Sequence, residues 1–62
     1  MRIKVDRCFG DKTYYRLTLP DGSRENVVPV NDHGDWDRAT ATKALDMLTA
    51  NYPVKRRSIK FV

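Results

Sequence analysis

The amino-acid sequence predicts a small two-layer α+β domain: an antiparallel β-sheet of three to four strands with one helix packed on one face, in the order β-β-β-α-β. Three observations predict it. Apolar and polar residues alternate over 2–8, 13–19, 24–30 and 57–62; an apolar stripe recurs at helical spacing from Ala41 to Tyr52; and Pro20-Asp21-Gly22-Ser23 is a strong turn signal. The 62 residues make one domain, 1–62, since chains this short bury only about 60% of the surface they expose when unfolded.

The elements follow in order. Over residues 2–8, Ile3 and Val5 point to one face and Arg2, Lys4 and Asp6 to the other. Phe9-Gly10-Asp11-Lys12 supplies a turn, with Gly10 free to take positive φ. Over 13–19, Tyr15, Leu17 and Leu19 oppose Tyr14, Arg16 and Thr18, and the two strands are expected to form a hairpin. The Pro-Asp-Gly-Ser turn leads to a third strand over 24–30, with Val28 and Val30 as its inward pair. Pro29 between them has no N–H to donate, which places this strand at a sheet edge. After the polar loop Asn31–Asp35, Asp35 or Asp37 is suited to cap a helix whose stripe is Ala41, Ala44, Leu45, Leu48 and Tyr52. Pro53 stops that helix and Asn51 suits its C-terminal cap. Over 57–62, Ile59 and Phe61 alternate with Ser58, Lys60 and Val62. The expected core joins Ile3, Val5, Tyr15, Leu17, Leu19, Val28, Val30, Ile59 and Phe61 to the helix stripe, with Trp36 and Met47 closing its ends.

Composition narrows the function. A single cysteine, Cys8, cannot form an internal disulfide, which points to a reducing, cytoplasmic compartment. No apolar run approaches the roughly 18 residues of a membrane span, so no membrane partner is expected. Catalysis lacks an inventory: Cys8 needs a base, and the only imidazole, His33, is in another segment. His33 lies among Asp32, Asp35 and Asp37, but without a second histidine or paired cysteines this reads as a solvated loop rather than a metal site. The glycines at 10, 22 and 34 are too scattered for a phosphate-cradling loop. No enzyme activity, cofactor or metal is expected.

Charge carries more content. Twelve basic and eight acidic residues give a formal charge of +4, distributed as two basic ends around an acidic 21–37 segment. On the predicted strand faces, Arg2, Lys4, Tyr14, Arg16, Thr18 and Lys60 share the side away from the helix, and Lys55, Arg56 and Arg57 arrive just before the last strand. Cations with an aromatic on one surface suit nucleic acid, by phosphate neutralisation and base stacking. The competing explanation is that the outer face of a one-layer sheet must be polar in any case.

The stretch Tyr14-Tyr15-Arg16-Leu17-Thr18-Leu19-Pro20-Asp21-Gly22-Ser23-Arg24, followed by a strand and a helix, resembles the three-stranded DNA-binding domains at the N-termini of phage-type tyrosine integrases, where an aromatic-x-Arg strand precedes a Pro-Asp-Gly turn. That resemblance implies a sheet entering the major groove, with base or phosphate roles for Arg16 and Lys4. In size, and in strand-strand-helix-strand order from Tyr14 to Val62, the chain is also similar to small phage inhibitors of host RNA polymerase.

The leading expectation is therefore a stand-alone, non-enzymatic nucleic-acid-binding protein, with DNA the first choice, using Arg2, Lys4, Tyr14, Arg16, Lys55, Arg56, Arg57 and Lys60. The alternative is a phage-type or bacterial inhibitor or adaptor that grips a larger host protein such as RNA polymerase through Asp32, His33, Asp35, Trp36 and Asp37. A homodimer through an edge strand is compatible with either.

Overall fold

The computed structural model describes residues 1–62. Strand β1 (Arg2–Cys8), strand β2 (Tyr14–Thr18), strand β3 (Arg24–Val27), helix α1 (Arg38–Asn51) and strand β4 (Lys60–Phe61) follow in the expected order, with a 3-10 turn at Arg56–Ser58 before the last strand. They form one four-stranded sheet, β3-β2-β1-β4, with the helix as the second layer.

The β1–β2 hairpin forms as its alternation requires. Val5 is paired with Leu17, Asp6 with Arg16 and Arg7 with Tyr15; Ile3, Tyr15 and Leu17 are buried, whereas Arg2 and Lys4 are exposed. The second turn uses each of its residues. Gly22 N–H donates to Leu19 O at 3.0 Å, Asp21 Oδ1 accepts from Ser23 N–H at 2.9 Å, and Gly22 takes φ +90°, which only glycine adopts without strain. In the first turn Gly10 makes no use of positive φ.

Strand β3 departs from the expected pattern in length and in face. It ends at Val27, which is buried opposite Tyr15, while Val28 and Val30 are half exposed. Pro29 is the first cause, since it removes a ladder donor and restricts Val28. The second is a long-range contact. With Val27 inward, Glu25 shares its face, and this carboxylate accepts a hydrogen bond from the Tyr52 hydroxyl at 2.9 Å. An acidic residue at an inward position of an edge strand is tolerable once it has that donor.

Asp37 caps α1, its carboxylate accepting from Thr40 N–H at 2.8 Å. The buried stripe is Thr40, Ala44 and Leu48, with Ala41, Leu45, Met47 and Tyr52 half buried beside it. Thr40 belongs to the interior because its hydroxyl accepts from Val30 N–H at 3.1 Å. Asn51 is the last helical residue rather than the cap; Tyr52 is the cap, its N–H bonding to Leu48 O at 2.9 Å before Pro53 ends the helix.

The sheet is mixed, not wholly antiparallel. Strand β4 runs parallel to β1, with Arg2 opposite Lys60 and Ile3 opposite Phe61. Parity explains the direction: β2 runs against β1 and β3 against β2, so β3 already runs with β1, and the crossover through α1 brings β4 back in that same direction. The 3-10 turn occupies Arg56–Ser58, leaving a strand shorter than the alternation over 57–62 suggested, although Val62 still bonds to Ile3 and Val5. Trp36 lies half buried between Tyr15 and Phe61, with edge-to-face ring centroids 5.1 Å from each. As Tyr15 is on β2 and Phe61 on β4, with β1 between them, the indole spans the inner side of β1.

Candidate nucleic-acid interface

Strand register determines which side chains share the sheet face turned away from the helix. Residues paired across strands lie on the same face, so the open face carries the pair Arg2–Lys60, the row Lys4–Thr18–Arg24, the row Asp6–Arg16–Asn26, and the pair Cys8–Tyr14. Of the residues expected from sequence, Arg2, Lys4, Tyr14, Arg16, Thr18 and Lys60 are brought together. Arg24 joins them. It was missed because treating Val28 and Val30 as the inward pair turns Arg24 inward as well; the adjacent Val27, two residues from Glu25, was the available signal.

This face holds five cations and one anion, Asp6, a net of +4 that equals the formal charge of the whole protein. The other seven cations and seven anions cancel. None of the five is held in an ion pair, because the single salt bridge of the molecule joins Arg56 to Asp46. Asp6 and Arg16 are cross-strand neighbours without an ion pair between them. The excess charge is therefore concentrated on one surface and its side chains are free to reorient.

The cations run in one file across the sheet. Strand axes about 4.8 Å apart and alternate residues about 6.8 Å apart put Arg2 beside Lys60, Lys4 next along β1, then Arg16 on β2 and Arg24 on β3, with successive separations of about 5 to 8 Å. Lys4 and Arg24, with uncharged Thr18 between them, are about 10 Å apart. Tyr14 is half buried at one end, opposite Cys8.

The Lys55-Arg56-Arg57 segment does not extend this face as a unit. Arg56 is directed to Asp46 on α1, while Lys55 and Arg57 are exposed on the 3-10 turn. The acidic loop is internally organised. Asn31 Nδ2 donates to Asp35 O at 2.8 Å and to Asp37 Oδ2 at 3.0 Å, and its Oδ1 accepts from the N–H groups of His33 and Asp35, both at 3.0 Å. Gly34 takes φ +73° there and accepts from the Tyr15 hydroxyl at 2.9 Å. The Thr40 N–H, then the Thr40 hydroxyl and the Asn31 side chain, hold the Asp37 carboxyl below its ordinary range. Thus Asp37 is occupied as a helix cap and Trp36 by the aromatic cluster, leaving Asp32, His33 and Asp35 exposed. An open groove of about 470 Å³ separates this loop from Lys12 and Thr13, and a second, apolar hollow of about 250 Å³ lies between Met1, Leu19 and Tyr52. No three His, Cys, Asp or Glu side chains converge as metal ligands would, and no helix is long and apolar enough to cross a membrane.

No protein-family model matches the chain, and no curated protein or solved structure matches it either.

Proposed function

We propose that this protein is a non-enzymatic nucleic-acid-binding module that contacts phosphates with its open sheet face. The observation that carries the reading is the confinement of the whole +4 excess to that face, on five cations without ion-pair partners. A face that only needed to be polar has no requirement for one sign of charge; Thr, Ser, Asn and mixed Lys and Glu would solvate it equally well. Arg2, Lys4, Arg16, Arg24 and Lys60 displace counterions from phosphates, and the Tyr14 hydroxyl supplies a further donor at the end of the patch.

If each cation neutralises one phosphate of a duplex, affinity falls with a log–log salt slope of about −4.5, or roughly 500-fold between 50 and 200 mM salt. The test is a titration at low salt of the wild type against a Lys4→Gln, Arg16→Gln, Arg24→Gln variant and a charge-matched Lys12→Gln, Arg38→Gln, Lys43→Gln variant. Loss of binding in the first and retention in the second is the expected result. Equal loss in both would show that net charge matters and the face does not, and absence of any binding by the wild type would end the reading.

A further inference from the structure

We infer that the open face takes a single strand of nucleic acid, its backbone laid along the cation file and a base stacked on Tyr14. This rests on the phosphate-binding reading above and names its substrate.

The cations follow one backbone. Lys60, Arg2, Lys4, Arg16 and Arg24 succeed one another at about 5 to 8 Å, a spacing that brackets the phosphate repeat of an extended strand, about 6 to 7 Å. A duplex lays its second backbone roughly 12 Å away across the major groove, and no second row of cations meets it on this face.

Beside the file stand the aromatic side chains that the core leaves free. Tyr15, Trp36 and Phe61 pack on one another beneath the sheet, and Tyr52 is bonded to Glu25. The remaining two are at the far end of the β1–β2 hairpin. Tyr14 is one alternate residue from Arg16 along β2, about 7 Å away, with its half-buried side chain on the open face. Its hydroxyl, unlike those of Tyr15 and Tyr52, has no hydrogen-bond partner to tie it to the protein. Phe9 follows Cys8, the cross-strand partner of Tyr14, and is 76% exposed, with the Arg7 guanidinium 5.5 Å from its ring centroid.

Bases project sideways from a backbone, so a nucleotide whose phosphate meets Arg16 sets its base on Tyr14. A single strand offers bases with open faces to such a ring, whereas a duplex keeps each base stacked between its neighbours. Neither hollow of the molecule is lined by a face cation or by Tyr14, so the base is stacked without being enclosed, and sequence is not read.

The experiment is fluorescence anisotropy of the full chain at 50 mM salt with three labelled probes: a strand of ten thymidylates, the same strand with abasic sites in place of its bases, and a ten-base-pair DNA duplex. The expected result is that the thymidylate strand binds more tightly than the duplex and about tenfold more tightly than the abasic strand. Tyr14→Leu should lower affinity for the thymidylate strand about tenfold and leave the other two probes within about twofold, while Tyr14→Phe retains binding of all three. An abasic strand binding as tightly as the thymidylate strand, a duplex binding as tightly as either, or a Tyr14→Leu loss shared by every probe overturns this inference while leaving the phosphate-binding face intact. If Tyr14→Leu fails to fold, the comparison of the three probes on the wild type decides the matter. Failure of every probe to bind overturns both.

Discussion

The basic face exists only in the observed register, and a Leu17→Ala substitution tests that register directly. A slip of one residue in β2 would bring Arg16 and Thr18 inward and turn Leu17 to solvent. As observed, Leu17 has no exposed surface and sits opposite Val5 and Glu25 on the inner face. Truncation removes three carbons, about 2.4 kcal/mol of transfer free energy, and leaves a cavity that brings the loss to about 3–4 kcal/mol. A 62-residue domain has a total stability of roughly 3–9 kcal/mol, so the variant should lie near the edge of folding. Arg16→Ala, on the solvent side of the same strand, should change stability by no more than about 0.5 kcal/mol. Trp36, between Tyr15 and Phe61, reports unfolding by its fluorescence in urea. With a slope of about 1 kcal/mol/M, Leu17→Ala lowers the midpoint by about 3 M. If it is too unstable to measure, Ile3→Val on the neighbouring strand, also fully buried, should cost about 1 kcal/mol. An Arg16→Ala loss equal to or greater than that of Leu17→Ala would refute the register, and with it the cation-bearing face.

Three further predictions follow from particular contacts. Arg16→Gln should flatten the salt slope of nucleic-acid binding by about one unit, whereas Arg56→Gln, whose guanidinium is already held by Asp46, should leave the slope unchanged; equal effects in such titrations would contradict the assignment. Alanine at Gly22 meets nothing within 4 Å and should cost only the strain of a positive φ, about 1–2 kcal/mol. Alanine at Gly34 adds a contact of 3.2 Å with Thr13 Cβ and should lower the urea midpoint further, a ranking that the paired melts check. The hydrogen bond to Glu25, then loss of hydration and the Glu25 charge, raise the Tyr52 pKa above its ordinary value of 10.0. The fold therefore favours the neutral phenol. Its contribution is complete below that value and lost as pH rises through the higher folded one. Tyr52→Phe should be less stable at neutral pH and show a flatter decline above pH 10.0; thermal melts across that range giving an unchanged alkaline decline would exclude the contact.

The parts of the fold legible in the sequence are those set by short-range periodicity. Ile3 and Val5, then Tyr15, Leu17 and Leu19, alternate without interruption, so the faces of β1 and β2, and with them Arg2, Lys4, Tyr14 and Arg16, could be assigned before any strand was paired. The helix stripe was legible for the same reason, except for Thr40, whose polarity disguised a buried position. Strand β3 was not legible in this way. Val27 and Val28 are adjacent, so periodicity offers two faces, and the choice between them is made by the Tyr52 hydroxyl meeting Glu25 from 27 residues away. Arg24 was lost from the candidate site for that reason alone.

Local chemistry thus determined the element order, the Pro-Asp-Gly turn, the helix cap among the aspartates and the basic outer surface of the first hairpin, because each depends on residues within a few positions of one another. Long-range packing settled what depends on distant partners. It placed β4 parallel to β1, so that Lys60 stands beside Arg2; it turned Arg24 outward, drew Arg56 to the helix and folded Trp36 beneath β1. A net charge of +4 is a property of the composition, but its concentration on a single face arises only when four strands separated in sequence are laid side by side.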